Sequence, residues 1–467
     1  MPNYRDKLIL APMVRVGTLP MRLLALRYGA DIVYTEELVD WKFLRSKRRI
    51  NDVLQTIDYI DQTDGTIVFR TCDEEKGKVV LQLGTSDADR ALKVALLIQN
   101  DVAAIDINMG CPKPFSIHCG MGVALLYNPD KAFAILKTLV DNLSIPVTCK
   151  IRIMPTPEET LNVVNKFISS GITAIAIHGR NRDERPRNPV HPDVIKYVAE
   201  RVSIPVIANG GSKEIEKHAD IYKFKDMTGC SSIMLARAAQ WNCSIFREKG
   251  LLPMDTVIED YLKLAVDFDN SPSNTKYCVQ NILRELQETP RGRQFLECQT
   301  LEQMCSIWGL GDYCKEKQLL YHNSGIQNRW HVTPCDLETP NKKRKIENYD
   351  LTDVIENLET PNKKRKIENY DLTDVIEKRV CFIRSNFNDR NLPKSQLHLW
   401  ANKNGHKLPK YETQQEQKLF RAILTFNGCK YTSSFWEKNK KFAEQGSAIV
   451  CLSSLGLLTE DDLVKFG

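Results

Sequence analysis

The 467-residue chain has fourteen cysteines but no C-x-x-C pair anywhere. Cys298, Cys305 and Cys314 lie too far apart for the short ligand spacing of a zinc site, so no metal centre is expected. Scattered through so long a chain, the cysteines read as small buried apolar residues and not as a disulfide framework. No window holds the ~20 apolar residues that a membrane span requires. The opening "MPNYRDKLILAPMVRVGTLP" has only a brief apolar run, cut by Pro12, unlike a signal-peptide core. A dinucleotide-binding fingerprint is also missing. The missing membrane span and signal-peptide core predict an intracellular, cytoplasmic protein without membrane contact.

The chain is too long for one core, which predicts several domains. Its net charge of +6 is uneven: residues 378–467 carry 15 Lys/Arg against 8 Asp/Glu, whereas residues 1–335 are nearly neutral. A basic end of this kind suits a polyanion-binding module, although a solvated basic face reads from the same charges.

Eight short β-branched runs follow one another with helical patterns between them: "LILAP" (8–12), "DIVYTE" (31–36), "VVLQLG" (79–84), "AAIDINMG" (103–110), "PVTCKIRI" (146–153), "AIAIHGR" (174–180), "PVIANGG" (205–211) and "SIMLARAA" (232–239). Runs that are apolar on both faces indicate buried parallel strands. Eight strand–helix units over residues 1–250 predict a (β/α)8 TIM barrel, with a doubly wound open sheet as the rival. Thr156 with Glu159 reads as a capping box, and "GTIVFRTCDEEKGK" as a hairpin insertion. Residues 251–330 read as a small helical domain, with Leu262, Val266, Ile282 and Leu286 on apolar faces. The 20-mer "LETPNKKRKIENYDLTDVIE" then occurs twice, at 337–356 and 358–377, and predicts a flexible charged linker over 331–378. Its KKRK runs, Lys342–Lys345 and Lys363–Lys366, read equally as nuclear-import signals and as solvated charge.

In a parallel barrel the residues just past each strand end converge on one mouth. Here these are Pro12, Met13 and the adjoining Val14, Gln82, Asn108, Cys111, Lys150, His178, Asn209, Gly210, Gly211, Ala236 and Arg237. Glycines and Arg237 after the last two strands suit a phosphate. Lys150 could face a ring that becomes anionic on reduction, and Gln82 and Asn108 could supply its amide partners. The set suits FMN. Beside such a hydride donor, Cys111 between Gly110 and Pro112 can supply the proton that completes reduction of a C=C bond.

"LAPMV", "LQLG", "DINMGCP", "GMGVALL", "CKIR", "IHGR", "IANGG" and "LARAA", in this order, resemble the tRNA-dihydrouridine synthases over residues ~5 to ~325. The resemblance implies FMN, NADPH as the reductant and reduction of a flipped-out uridine in tRNA. Cys111 would protonate carbon 5, and the mouth residues would hold the flavin. It also shows a departure: "IHCGMG" carries His118 and Cys119 where relatives have lysine and glycine. The Asn-Met-Gly-Cys-Pro context favours Cys111 over Cys119 as the acid.

Within a last domain over 379–467, residues ~392–458 read helix–strand–strand–strand–helix and resemble an α+β double-stranded-RNA-binding domain. Lys438, Lys440 and Lys441 are placed like that family's phosphate clamp, though its Gly-Pro-x-His loop is absent. The pairing of modules resembles the eukaryotic type 2 synthases and implies D-loop position 20 of tRNA as the target. Two other readings remain: an FMN barrel dehydrogenase acting on a free pyrimidine, and a non-catalytic regulator that binds double-stranded RNA.

Overall fold

Strands buried on both faces can close only by pairing with each other, and the apolar runs do so. The computed structural model describes residues 2–325, 375–380, 382, 392–416, 419–437 and 439–458. Two compact units, Met1–His331 and Val332–Gly467, make up the chain. The KKRK runs lie outside the described residues.

The strands of the first unit are β1 (Leu8–Leu10), β2 (Ile32–Tyr34), β3 (Leu38–Val39), β4 (Ser46–Asn51), β5 (Thr56–Asp61), β6 (Ile67–Cys72), β7 (Val79–Gly84), β8 (Ala104–Met109), β9 (Val147–Arg152), β10 (Ala174–His178), β11 (Val206–Asn209) and β12 (Ser232–Leu235). β1, β2 and β7 to β12 form a parallel cylinder, closed by the pairing of β2 with β7 at Val33–Val79 and of β1 with β12 at Ile9–Met234. The eight expected strands are all present, and closure excludes the open sheet. Tyr4, Tyr34, Ile9, Val80, Ile207 and Met234 fill the interior against Ala11, Ala104, Ala174 and Ala176, a large-against-small packing. Outside the barrel, the capping box forms as expected: Thr156 accepts from the Glu159 amide and Glu159 from the Thr156 amide, both at 3.2 Å.

The expected hairpin is a three-stranded antiparallel sheet, β4–β5–β6. Its first strand, "SKRRIN", has no apolar alternation to betray it. A fully buried ion pair joins this insertion to the helix Leu19–Arg27. Arg22 donates to both Glu75 oxygens at 2.8 and 2.6 Å, and to the Gly17 and Arg70 carbonyls. With these contacts the desolvated charges are matched, as a buried pair requires.

The helices Met254–Asp267, Pro272–Leu283, Pro290–Glu297, Leu301–Ser306 and Gly311–Asn323 pack on the barrel. Leu262, Val266 and Ile282 are buried, but Leu286 is 46% exposed. The α-helix stops at Leu283, Arg284 takes a φ of 48°, and the next turn is 3-10, which rotates Leu286 outward. Arg15, in the loop after β1, donates to the Ser273 carbonyl and accepts from the Asn274 side chain.

The second unit has the helix Pro393–Lys403, strands β14 (Lys410–Glu416), β15 (Leu419–Phe426) and β16 (Cys429–Ser433), and the helix Lys440–Ser454. They share a core of Leu397, Ala401, Leu424, Phe426, Tyr431, Ile449 and Leu452. One further strand, β13 (Val375–Lys378), runs parallel to β16. It starts in the last three residues of the second 20-mer copy and ends one residue beyond it, at Lys378. Among the described residues no helix is long and apolar enough to cross a membrane.

Candidate active site

Parallel closure carries the C-terminal ends of all eight strands to one rim, and every barrel residue predicted to form the site lies on or just beyond one of them. Pro12, Met13 and Val14 follow β1, with Val14 outermost at 44% exposure. Gln82 is in β7, Asn108 in β8, Lys150 in β9, His178 in β10 and Asn209 in β11. Gly210, Gly211, Ala236 and Arg237 come next after β11 and β12.

A hydrogen-bond chain crosses this rim from the barrel interior. The Asp106 carboxylate, fully buried, accepts from Gln82 Nε2 at 2.8 Å and from Thr148 Oγ1 at 2.7 Å. Gln82 Oε1 accepts from Asn108 Nδ2 at 3.3 Å. Asn108 Oδ1 in turn accepts from the Gly110 and Cys111 amides at 3.0 and 3.1 Å, an Asx turn that fixes the cysteine loop. Arg152 Nε holds the Gly110 carbonyl at 2.9 Å, and the Val123 amide holds the Cys111 carbonyl at 3.0 Å. Gly122 completes the clamp. Its φ is 59°, and a Cβ there would stand 2.6 Å from the Cys111 oxygen and 2.9 Å from the Cys111 Cβ.

Cys111 is half-buried, and burial together with the Glu37 carboxylate pushes its thiol up from the ordinary value. The group is therefore a protonated thiol at neutral pH. By contrast, His118 and Cys119 are exposed at the end of the short helix Pro114–His118.

Positive charge begins beside the cysteine loop, at β9, and continues round the rim to β12. Burial and the neighbouring Arg152 lower Lys150 to about 8, and its ammonium has no hydrogen-bond or ion-pair partner among the described residues. Burial and the Arg185 and Arg180 charges lower Arg152 to about 10. His178 is driven well below its usual value by burial, then by Lys150, Arg152, Arg180 and Arg237, so the ring is neutral. Its Nε2 can then accept from Arg180 Nη1 at 3.3 Å, with the proton on Nδ1. Arg180 is 1% exposed and bonds the Asn188 and Gly210 carbonyls, but its Nη2 has no partner. A buried, unsatisfied guanidinium nitrogen is costly unless an anion completes it.

Gly210 and Gly211 differ from a simple open cradle. A Cβ on Gly210, whose φ is 121°, would meet the His178 ring and Val190 at 2.9 Å, and one on Gly211 would meet the Phe224 ring at 2.8 Å. The glycines are required by protein packing. Their amides nevertheless have no backbone acceptor among the described residues. Asn209 donates to the Met234 carbonyl at 2.8 Å and so ties β11 to β12.

Sequence reasoning missed Glu37, Asp106, Arg152 and Arg180. The last three stand inside the quoted motifs "DINMGCP", "CKIR" and "IHGR", where a charge in an apolar strand run was the available signal. In the second unit Lys440 and Lys441 are exposed on the first turn of the helix that Asn439 caps. Lys438 lies outside the described residues.

Comparison with known proteins gives a concordant result. The family model described as dihydrouridine synthase matches residues 9–291, and the double-stranded RNA binding motif matches 393–455. The chain is similar to the tRNA-dihydrouridine(20) synthase, NAD(P)+, of Schizosaccharomyces pombe, 38% identical over 292 residues that cover 60% of each chain. It is also similar to the Saccharomyces cerevisiae protein of that name, 36% identical over 61% of this chain and 78% of the relative. The match thus spans less than two thirds of the fission-yeast relative. The crystal structure of a tRNA-dihydrouridine(20) synthase dsRBD domain is 42% identical over 19% of this chain and 95% of that one, with a TM-score of 0.18.

The buried carboxylate has a measurable signature. Burial pushes Asp106 up to about 6, with Gln82, Thr148 and Lys150 acting in the opposite direction. The folded state therefore holds a proton that the unfolded chain releases near pH 4, and this stability is lost as pH rises through about 6. Urea unfolding of wild type and Asp106→Asn should show their stability difference moving by on the order of 2–3 kcal/mol towards the variant between pH 4 and pH 7. A difference independent of pH contradicts the assignment.

Proposed function

The chain belongs to the dihydrouridine synthase family, and on that basis we propose that it reduces the C5=C6 bond of a uridine in tRNA, at D-loop position 20, with FMN as its flavin and NAD(P)H as reductant. The observation that carries this reading is a protonated thiol on a clamped backbone at the same rim as a cluster of cations that has an unpartnered guanidinium nitrogen.

The residues fit FMN. The free Nη2 of Arg180, Arg237 and the Gly210 and Gly211 amides provide donors for its phosphate. Lys150 provides a cation for the ring, Gln82 and Asn108 its amide partners, neutral His178 a further polar contact, and Pro12, Met13, Val14 and Ala236 its walls. When bound, FMN supplies the hydride for carbon 6.

Hydride at carbon 6 leaves negative charge on carbon 5 and the adjoining carbonyl oxygen, which a proton must discharge. Cys111 carries that proton on Sγ, and the Asn108, Arg152 and Val123 contacts hold its backbone in place while it moves. The double-stranded RNA binding motif supports a folded RNA as substrate and weighs against a free pyrimidine, which would leave it without a task. Lys438, Lys440 and Lys441 bind phosphates there, while the barrel receives the flipped uridine.

Single-turnover oxidation of the reduced flavin by unmodified tRNA tests the chemistry. Cys111→Ala should slow it by roughly 10²- to 10⁴-fold, the range of a lost general acid, without changing tRNA affinity. Equal rates would sink the role. For the RNA module, Lys440→Ala with Lys441→Ala should reduce the slope of log K against log salt by about two in tRNA binding. An unchanged slope means that these lysines touch no phosphate.

A further inference from the structure

Exposed aromatic side chains are few on this surface, and most of them lie in one place. Among the described residues four are exposed, Trp41, Phe115, Tyr127 and Tyr222. The first three stand around the cysteine loop. Trp41 belongs to the short helix Asp40–Leu44, which β3 brings to the rim end of β7 by pairing Val39 with Gly84. Phe115 lies on the helix Pro114–His118 and Tyr127 directly after the helix Val123–Leu126, both on the segment that follows β8.

Trp41 is 56% exposed, so burial does not explain its place, yet its surroundings hold it firmly. The buried Asp40 accepts from the Trp41 amide at 2.6 Å, from Thr85 Oγ1 at 2.8 Å and from Arg90 Nε at 2.9 Å. Arg90, anchored in this way, sets its guanidinium 4.6 Å from the centre of the Trp41 ring. The same arginine reaches Ser86 Oγ at 3.4 Å. Ser86 in turn borders the cysteine loop: a Cβ on Gly120 would stand 3.5 Å from the Ser86 Cβ and 3.9 Å from Lys131 Nζ. The ring, its cation and the loop therefore form one continuous surface. Beyond the cysteine loop the arrangement recurs, with Arg182 lying 5.8 Å from the Tyr127 ring.

We infer that Trp41, backed by Arg90, is a stacking platform for an unpaired base of the RNA beside the flipped uridine. The inference rests on the tRNA reading proposed above and deepens it. Turning a nucleotide out of its stack strips its neighbours of contacts. A fixed indole face replaces that stacking for any base, while Arg90 and Lys131 supply cations for the adjoining phosphate.

The test is equilibrium binding of unmodified tRNA to the full-length protein over a range of salt, without turnover. Trp41→Ala should weaken binding roughly 5- to 150-fold, the range of one lost base stack, and leave the slope of log K against log salt unchanged, because a stack displaces no counterion. Trp41→Phe should recover part of the loss, whereas Trp41→Leu, apolar but unable to stack, should not. Affinity within about twofold of wild type in Trp41→Ala, a changed salt slope, or equal losses in the Phe and Leu variants would overturn the inference and leave the reduction chemistry standing. A wild-type dimer that Trp41→Ala converts to monomer would also overturn it, by assigning the ring to a second copy of the chain. Wild-type protein that binds no tRNA at all would overturn the proposed function together with it.

Discussion

Asp106 sits inside a closed barrel with two neutral donors, Gln82 and Thr148, and no directly bonded cation. A carboxyl group in that environment is tolerated only while its donors stay aimed at it. The constraint propagates. Gln82 cannot turn without abandoning Asp106, Asn108 is held by Gln82, and the Cys111 backbone is held by Asn108. A side chain invisible from the rim thus fixes the orientation of the group that would move the proton. Each link is an ordinary hydrogen bond, worth about 1 kcal/mol net, but the buried end makes breaking the chain more expensive than any one link suggests.

Electrostatically the rim has two characters. Around β9 to β12, Lys150, Arg152, Arg180 and Arg237 crowd one another and, with burial as the larger cause, hold His178 neutral. That arrangement is unfavourable in isolation and becomes favourable around an anion. Near β8, burial and then the Glu37 carboxylate keep Cys111 protonated against the same field. A charge-binding region and a proton-holding region can coexist a few residues apart because burial disfavours ionisation of both thiol and imidazole.

The barrel was legible because its signal is periodic and redundant. Eight apolar runs, each buried on both faces, admit few alternatives, and the rim residues follow from strand ends alone. Side chains whose roles depend on a neighbour in another strand were harder to read. Glu37 looks like one of two adjacent acids in "YTEELVD", and nothing local says that its carboxylate crosses to Gly84. Leu286 continued an apolar pattern but fell beyond a helix end that Arg284 imposes through a left-handed backbone conformation. β4 is almost wholly polar and β13 is only four residues long, so neither shows a strand pattern of its own and both are recognised by their pairing partners. Gly210 and Gly211 were legible as glycines but for a partial reason: neighbouring rings forbid a side chain there whatever the ligand.

The central claim is that carbon 5 of the uridine receives its proton from Cys111. It is tested most directly by running a single turnover in D2O with protiated reductant and locating the label in the product. An exchangeable thiol proton predicts one deuterium at carbon 5, appearing only slowly in Cys111→Ala. Labelling of carbon 5 at the wild-type rate in Cys111→Ala would contradict the account.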